Sequence, residues 1–159
     1  MIAESLKAYL EKESAEYEIL SAKYLKSKKP SKRQESPDNH KIAKVIIIKA
    51  GEKDVMVVIP EAVNIDLDKL GLLLDTDLLR LEDNDECAVL FPDCEQGAIP
   101  ALGRPYNVPC FVDETLLDGA AVFFPGGKQA KGVKVSSDEY WRIAHAEIGN
   151  FRSRVSPSY

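Results

Sequence analysis

Two runs of β-branched residues constrain this chain more than anything else in it: Ala43 to Lys49 and Asp54 to Ile59, separated only by Ala50-Gly51-Glu52-Lys53. Short apolar runs of this composition, joined by a glycine-containing connection, read as a β-hairpin. The first arm carries Val45-Ile46-Ile47-Ile48 without a break. It lacks the apolar/polar alternation of a strand with one wet face, so it predicts a strand covered on both sides. Such a strand needs layers above and below it. At 159 residues the chain is long enough for about one domain with its own core.

The flanking sequence supplies those layers. Ile2, Leu6, Tyr9 and Leu10 recur at helical spacing and predict a first helix. A short strand candidate follows at Tyr17 to Leu20; Ser21 to Lys41 is polar, Pro30 and Pro37 deny it a continuous helix, and its later part reads as a long surface loop. Asp66 to Leu74 predicts a short helix with an acidic cap, and Asp83 to Phe91 a second one with acids at its positive end. Leu78 to Leu81 either extends the former or forms a strand. After a Gly/Pro-rich loop from Pro92 to Pro109 come strand candidates at Cys110 to Val112, Ala120 to Phe124 and Gly132 to Val135. Ser136-Ser137-Asp138-Glu139 has the pattern of a capping box, with Trp141, Ala144 and Ile148 as the apolar face of the helix it opens. The expected fold class is therefore α/β in the mixed α+β sense: one domain over residues 1–150, then a frayed tail over 151–159.

Several function classes are excluded at this stage. No apolar run approaches the ~20 residues that cross a bilayer, and the opening MIAESLKAYLEKE has no basic-then-apolar signal pattern. Cys87, Cys94 and Cys110 are odd in number and lack metal-ligand spacing, which fits reduced thiols in a cytoplasm. His40 and His145 have no ligand-type neighbour at zinc spacing, and Phe124-Pro125-Gly126-Gly127-Lys128 is too compact for a phosphate-binding P-loop. The expectation is chemistry without metal or cofactor, away from membranes. Charge is segregated: Lys23 to Lys41 holds seven basic residues against Glu35 and Asp38, a net +5, whereas the other 140 residues carry 14 basic and 24 acidic side chains, a net −10. Within the basic stretch Lys28, Lys29, Lys32 and Arg33 are candidates for contact with a polyanion, the alternative being a solvated loop.

Three features remain that can build a site. Lys44 stands at the entry of the apolar strand; Gly97-Ala98-Ile99-Pro100-Ala101-Leu102-Gly103 forms a glycine- and proline-bounded loop; Phe124-Pro125-Gly126-Gly127-Lys128 forms a turn. Glycines let backbone N–H and C=O groups approach a ligand, prolines stiffen the loops, and a lysine neutralises a phosphate or polarises a carbonyl. Each has a plain structural rival: a charged edge-strand residue, an ordinary loop and a hairpin turn.

Leu90-Phe91-Pro92-Asp93-Cys94-Glu95-Gln96-Gly97-Ala98-Ile99-Pro100, followed by Leu102-Gly103 and Val112-Asp113-Glu114, resembles the YbaK/prolyl-tRNA-editing family of aminoacyl-tRNA deacylases. Ile42-Ala43-Lys44-Val45, Asp66-Leu67-Asp68-Lys69-Leu70 and the 124–128 turn fall in the family's order, so the resemblance spans about Lys41 to Ile143. It implies a mixed, partly barrel-like sheet flanked by helices, with Leu78 to Leu81 as a strand. It also implies hydrolysis of mischarged aminoacyl-tRNA, a small amino acid such as Ala or Cys on tRNA(Pro), with association with an aminoacyl-tRNA synthetase as a further partner. In this reading Lys44, Gly97 and Ala98 are catalytic. Ile99, Pro100, Gly103, Gly126, Gly127 and Lys128 bind substrate, and Lys28, Lys29, Lys32 and Arg33 contact tRNA. Two departures from the family pattern stand out: the polar, basic character of 23–41 and Pro125 where asparagine is frequent. The rival readings are a catalytically silent tRNA- or protein-binding module and an unrelated small-molecule esterase.

Overall fold

A computed structural model describes residues 1–21 and 40–153. Its centre is the expected hairpin: β2 (His40–Ala50) and β3 (Lys53–Pro60) pair antiparallel from Ala43 opposite Pro60 to Ala50 opposite Lys53. Gly51 takes the left-handed conformation that the connection requires, at φ 63°. Both faces are covered. Ile47, Met56 and Val58 join one apolar cluster, whereas Ile48, Val55, Val57 and Ile59 join another on the opposite side. This is why the run needs no alternation.

The other strands are β1 (Glu18–Ser21), β4 (Leu79–Leu81), β5 (Cys110–Asp113), β6 (Ala121–Pro125), β7 (Lys131–Ser136) and β8 (Glu147–Gly149). They form one mixed eight-stranded sheet in the order β1-β7-β6-β2-β3-β5-β8, with β4 pairing β2 to the side. The sheet is mixed and flanked by helices, as expected, and it is open: among the described residues its end strands β1 and β8 do not pair. The larger cluster packs α1 (Glu4–Lys12) and α4 (Ser137–Ala144) on one face; the smaller packs α2 (Leu67–Leu74) and Phe151 on the other. The remaining helix, α3 (Asn84–Leu90), is tied to β4 by the Arg80–Glu86 ion pair.

Local chemistry sets the helix starts. The Asp66 carboxylate accepts from the N–H groups of Asp68 and Lys69 at the head of α2. At α3, Asp83 accepts from Glu86 N–H while the Glu86 carboxylate accepts from Asp83 N–H, a complete capping box. At α4 only half of the expected box forms. Ser136 Oγ accepts from Glu139 N–H, but the Glu139 carboxylate turns to Arg142 and to the N–H of Glu16. The apolar face of α4 also differs from expectation: Tyr140, Ile143 and Ala144 are buried and Trp141 is exposed. His145 enters the left-handed region at φ 47° and ends the helix. Ile148 therefore lies in β8, which runs parallel to β5.

The tail is docked through Ser153 instead of fraying from 151. Phe151 is 2% exposed and meets Phe111 edge to face at 6.3 Å. Its N–H donates to the fully buried carboxylate of Asp113 at 2.9 Å. That same carboxylate accepts from Arg152 Nη1 at 2.7 Å and from Thr115 Oγ1 at 2.6 Å. A buried carboxylate is tolerated only with such partners. Asp113→Ala removes the anchor and leaves several donors without an acceptor. It is expected to lower the unfolding free energy by about 3 kcal/mol, measured by urea denaturation.

Candidate functional site

The long strand β2 has a second edge, and the sheet covers only its two ends. Residues 40–42 pair with β6 in parallel and residues 48–50 pair with β4 antiparallel. Between them the edge faces a cleft closed from the front by the loop that follows α3. The cleft has two lobes. One, of about 200 Å³, is lined by Ala43, Lys44, Glu61, Lys128 and Lys131, with Pro125 at its side. The other, of about 370 Å³, is lined by Val45, Leu81, Glu82, Cys87, Phe91 and Ile99. Gly97 lines both.

The loop and the 126–127 turn are knitted to each other. Glu95 N–H donates to Gly127 C=O at 2.7 Å, Gly127 N–H to Ala98 C=O at 2.8 Å, and Ala98 N–H to Glu95 C=O at 3.0 Å. Glu95 also accepts from Gln129 N–H, and Gln129 Nε2 donates to Gln96 C=O. The start of α1 seats on the same turn through Ala3 N–H to Gly126 C=O at 2.8 Å. Gly127 holds φ 88°, and a Cβ there would lie 2.4 Å from that of Ala3, so this approach requires glycine. Behind the loop, Tyr106 Oη donates to Asp93 Oδ1 at 2.8 Å and Ser5 N–H donates to Asp93 Oδ2 at 2.7 Å. Cys94 Sγ lies 3.2 Å from Tyr106 Oη. Burial, with the Asp93 charge adding to it, pushes the Cys94 thiol up to about 11, which disfavours the nucleophilic thiolate at neutral pH.

The residues singled out in the sequence divide accordingly. Lys44, Gly97, Ala98 and Lys128 meet at the smaller lobe, and Ile99 lines the larger. Gly97 is exposed at φ 78°, and neither its N–H nor its C=O has a protein partner among the described residues. The backbone groups of Ala98, Gly126 and Gly127 named above are committed to internal bonds. Pro100 is buried behind the loop, and Gly103 is packed against Val108 C=O, where a Cβ would lie 2.1 Å away. Lys28, Lys29, Lys32 and Arg33 lie outside the described residues. Sequence reasoning missed Lys131, at the start of β7, and Glu61 and Glu82, which directly follow β3 and β4; they come from distant parts of the chain and carry no local motif. Asp93 stood inside the quoted motif with no role attached, and Tyr106 lies three residues beyond the 97–103 loop.

The two lobes differ in electrostatics. Lys44 Nζ donates to Val63 C=O at 2.7 Å; burial draws its pKa below that of a free lysine, and the Glu61 carboxylate counteracts this. With Lys128 and Lys131 beside it, the smaller lobe suits an anion. Among the described residues no group of three or more His, Cys, Asp and Glu is placed to hold a metal ion. In the larger lobe, mostly apolar, Glu82 is pushed up to about 7 by burial and then by the neighbouring Asp54 carboxylate. Glu82 Oε2 is sealed from solvent without a hydrogen-bond partner among the described residues. A carboxyl whose folded pKa is raised stabilises the fold at low pH and loses that contribution as pH rises. Asp54, held low by Glu82 and Lys49, acts in a separate window below the usual aspartate range. Stability is expected to fall as pH rises from about 4.5 to about 7, and Glu82→Gln is expected to flatten this fall in thermal melts across that range.

No curated protein matches the chain. Among solved structures, a scaffold from "Epitope backbone grafting by computational design" is similar with a TM-score of 0.77 at 18% identity, over 95% of this chain and 96% of that one. A structure reported as "a putative trans-editing enzyme for prolyl tRNA synthetase" is similar with a TM-score of 0.76 at 19% identity, over 96% and 99% of the two chains. A "Putative signal transduction protein" from Marinobacter aquaeolei VT8 is similar with a TM-score of 0.72 at 18% identity, over 92% of this chain and 30% of that one. At these identities the likeness is one of fold. The family model described as "Aminoacyl-tRNA editing domain" matches residues 27–143, a stretch holding β2, the 97–103 loop, the 126–127 turn and most of α4. This chain belongs to the aminoacyl-tRNA editing domain family.

Proposed function

We propose that this protein is a trans-acting hydrolase that removes a wrongly attached amino acid from aminoacyl-tRNA. The observation that carries the reading is the junction at Gly97 of a cationic lobe and a larger, mostly apolar one. An aminoacyl-tRNA 3′ end has this polarity: a phosphate and adenosine on one side of an ester, an amino-acid side chain on the other. Lys44, Lys128 and Lys131 take the terminal nucleotide, Gly97 holds the ester region, and Ile99 narrows the side-chain lobe. Ala98, Gly126, Gly127, Pro100 and Gly103 keep these parts in register. In hydrolysis a water oxygen bonds to the ester carbon, the bond from that carbon to the ribose oxygen breaks, and the ribose oxygen takes a proton. Positioning and stabilisation of the developing oxyanion supply the acceleration.

By the family resemblance the substrate is a small amino acid, alanine or cysteine, on tRNA(Pro). Rejecting a larger residue by size discriminates more sharply than sensing a missing methylene, which contributes only ~1–3 kcal/mol. Cytoplasmic action and association with a synthetase go with this reading; among the described residues no helix is long and apolar enough to cross a membrane. The second reading, a silent tRNA- or protein-binding module with the editing fold, is favoured by one observation. The Lys44 ammonium is already engaged by Val63 C=O.

A panel of mischarged tRNAs separates the two: turnover on alanyl- or cysteinyl-tRNA(Pro) supports the hydrolase, and binding without turnover on every member supports the module. Lys44→Ala is expected to cut deacylation at least about tenfold, a loss of roughly 1.4 kcal/mol of transition-state stabilisation. Unchanged turnover in a folded variant removes Lys44 from the mechanism. Neutralising Lys28, Lys29, Lys32 and Arg33 together is expected to weaken tRNA binding and flatten its salt dependence. Equal salt slopes for variant and parent assign these residues to a solvated surface.

A further inference from the structure

The open stretch of β2 has a hydrogen-bonding pattern that can be read residue by residue. Ile42 C=O accepts from Glu61 N–H at 2.8 Å, so the even-numbered residues of the strand turn their backbone groups toward β3. Ile47 C=O accepts from Glu82 N–H at 2.9 Å, and Gly51 N–H donates to Leu78 C=O at 2.8 Å. The odd-numbered residues therefore face the other edge, where the cleft lies. On the β6 side the parallel register pairs Ile42 with Phe123, and the next ladder bond would run from the N–H of residue 125 to Ala43 C=O. Residue 125 is proline and has no N–H. On the β4 side pairing resumes only at Ile47. Val45 N–H and C=O are thus opposite no described strand, and Val45 lines the larger lobe next to Gly97.

We propose, resting on the editing reading above, that Val45 is the residue that binds the aminoacyl group itself. Its C=O accepts a hydrogen bond from the substrate's α-ammonium, and its N–H donates one to the ester carbonyl oxygen. The amino acid adds to the sheet as a strand of one residue, making both bonds of a hydrogen-bonded antiparallel pair. The gap fits this occupant better than a peptide strand, because it is closed at one end by Pro125 and at the other by the Glu82–Ile47 bond. The neighbouring Lys44, Lys128 and Lys131 supply the charge that a nucleotide attached to that amino acid requires. Main-chain pairing reads the α-ammonium and the carbonyl that every aminoacyl ester carries and leaves side-chain selection to the lobe beyond. The Val45 N–H also strengthens its bond as the carbonyl oxygen gains charge.

The probe is 3′-(L-alanylamino)-3′-deoxyadenosine, in which a stable amide replaces the ester. Added to the 15N-labelled native chain, it is expected to shift the Val45 amide resonance and slow its hydrogen exchange by about tenfold or more. The N-acetylated probe, which lacks the ammonium, is expected to do neither. Replacing Val45 by its α-hydroxy acid analogue turns the N–H into an ester oxygen and is expected to lower kcat on alanyl-tRNA(Pro) about a hundredfold with little change in KM. Val45→Ala keeps the N–H and is expected to retain the resonance shift. Binding that moves Gly97 but leaves Val45 unmoved overturns the proposal, as does a Val45 amide already protected in the free protein; in both cases the editing reading stands. If the native chain neither binds the probe nor deacylates any charged tRNA, the editing reading falls and this proposal with it.

Discussion

The fold depends on how the two edges of β2 are satisfied. One edge is paired along its length with β3, and this hairpin gives each apolar cluster its floor. The other is shared between β6 and β4, which approach from opposite ends and do not meet. A sheet that closed this seam would have a complete ladder and no cleft. Pro125 withholds one donor at the point where β6 would have continued, and the loop after α3 covers the seam without zipping it.

The face of that cleft is rigid for reasons unrelated to ligand contact. Most of the conspicuous glycines let backbone approach backbone: Gly127 admits the start of α1 and Gly103 admits Val108 C=O. Asp93 gathers Ser5 N–H and the Tyr106 hydroxyl behind the loop. Only Gly97 leaves both backbone groups without a protein partner among the described residues. The motif is therefore largely a scaffold for one exposed position, and the positive charge of the site comes from Lys44 on β2, Lys131 on β7 and Lys128 in the turn between β6 and β7.

Much of this was legible in the sequence, and the parts that were not share a cause. The hairpin could be read from composition, the starts of α2 and α3 from Asp66 and Asp83, and the loop from its glycines and prolines, because these signals are local. Trp141 and Ile148 misled because periodicity alone does not reveal that His145 breaks the helix and sends Ile148 into a strand beside β5. Phe151 looked like part of a loose tail because its partners, Asp113 and Phe111, lie some forty residues earlier. The open edge at Val45 was equally hidden, since it depends on the register of three different strands. Pro125 was visible as a departure from the family pattern, but its effect on the ladder needed the pairing of β6.

Two thiols, Cys87 and Cys94, line the larger lobe of the cleft. Burial raises both thiols above the usual range, with the Asp93 charge adding to it at Cys94 and the Tyr106 hydroxyl opposing it, and oxidation by peroxide proceeds through the thiolate. A peroxide that oxidises low-pKa cysteines therefore meets the protonated form, which reacts poorly, at both positions in this wall.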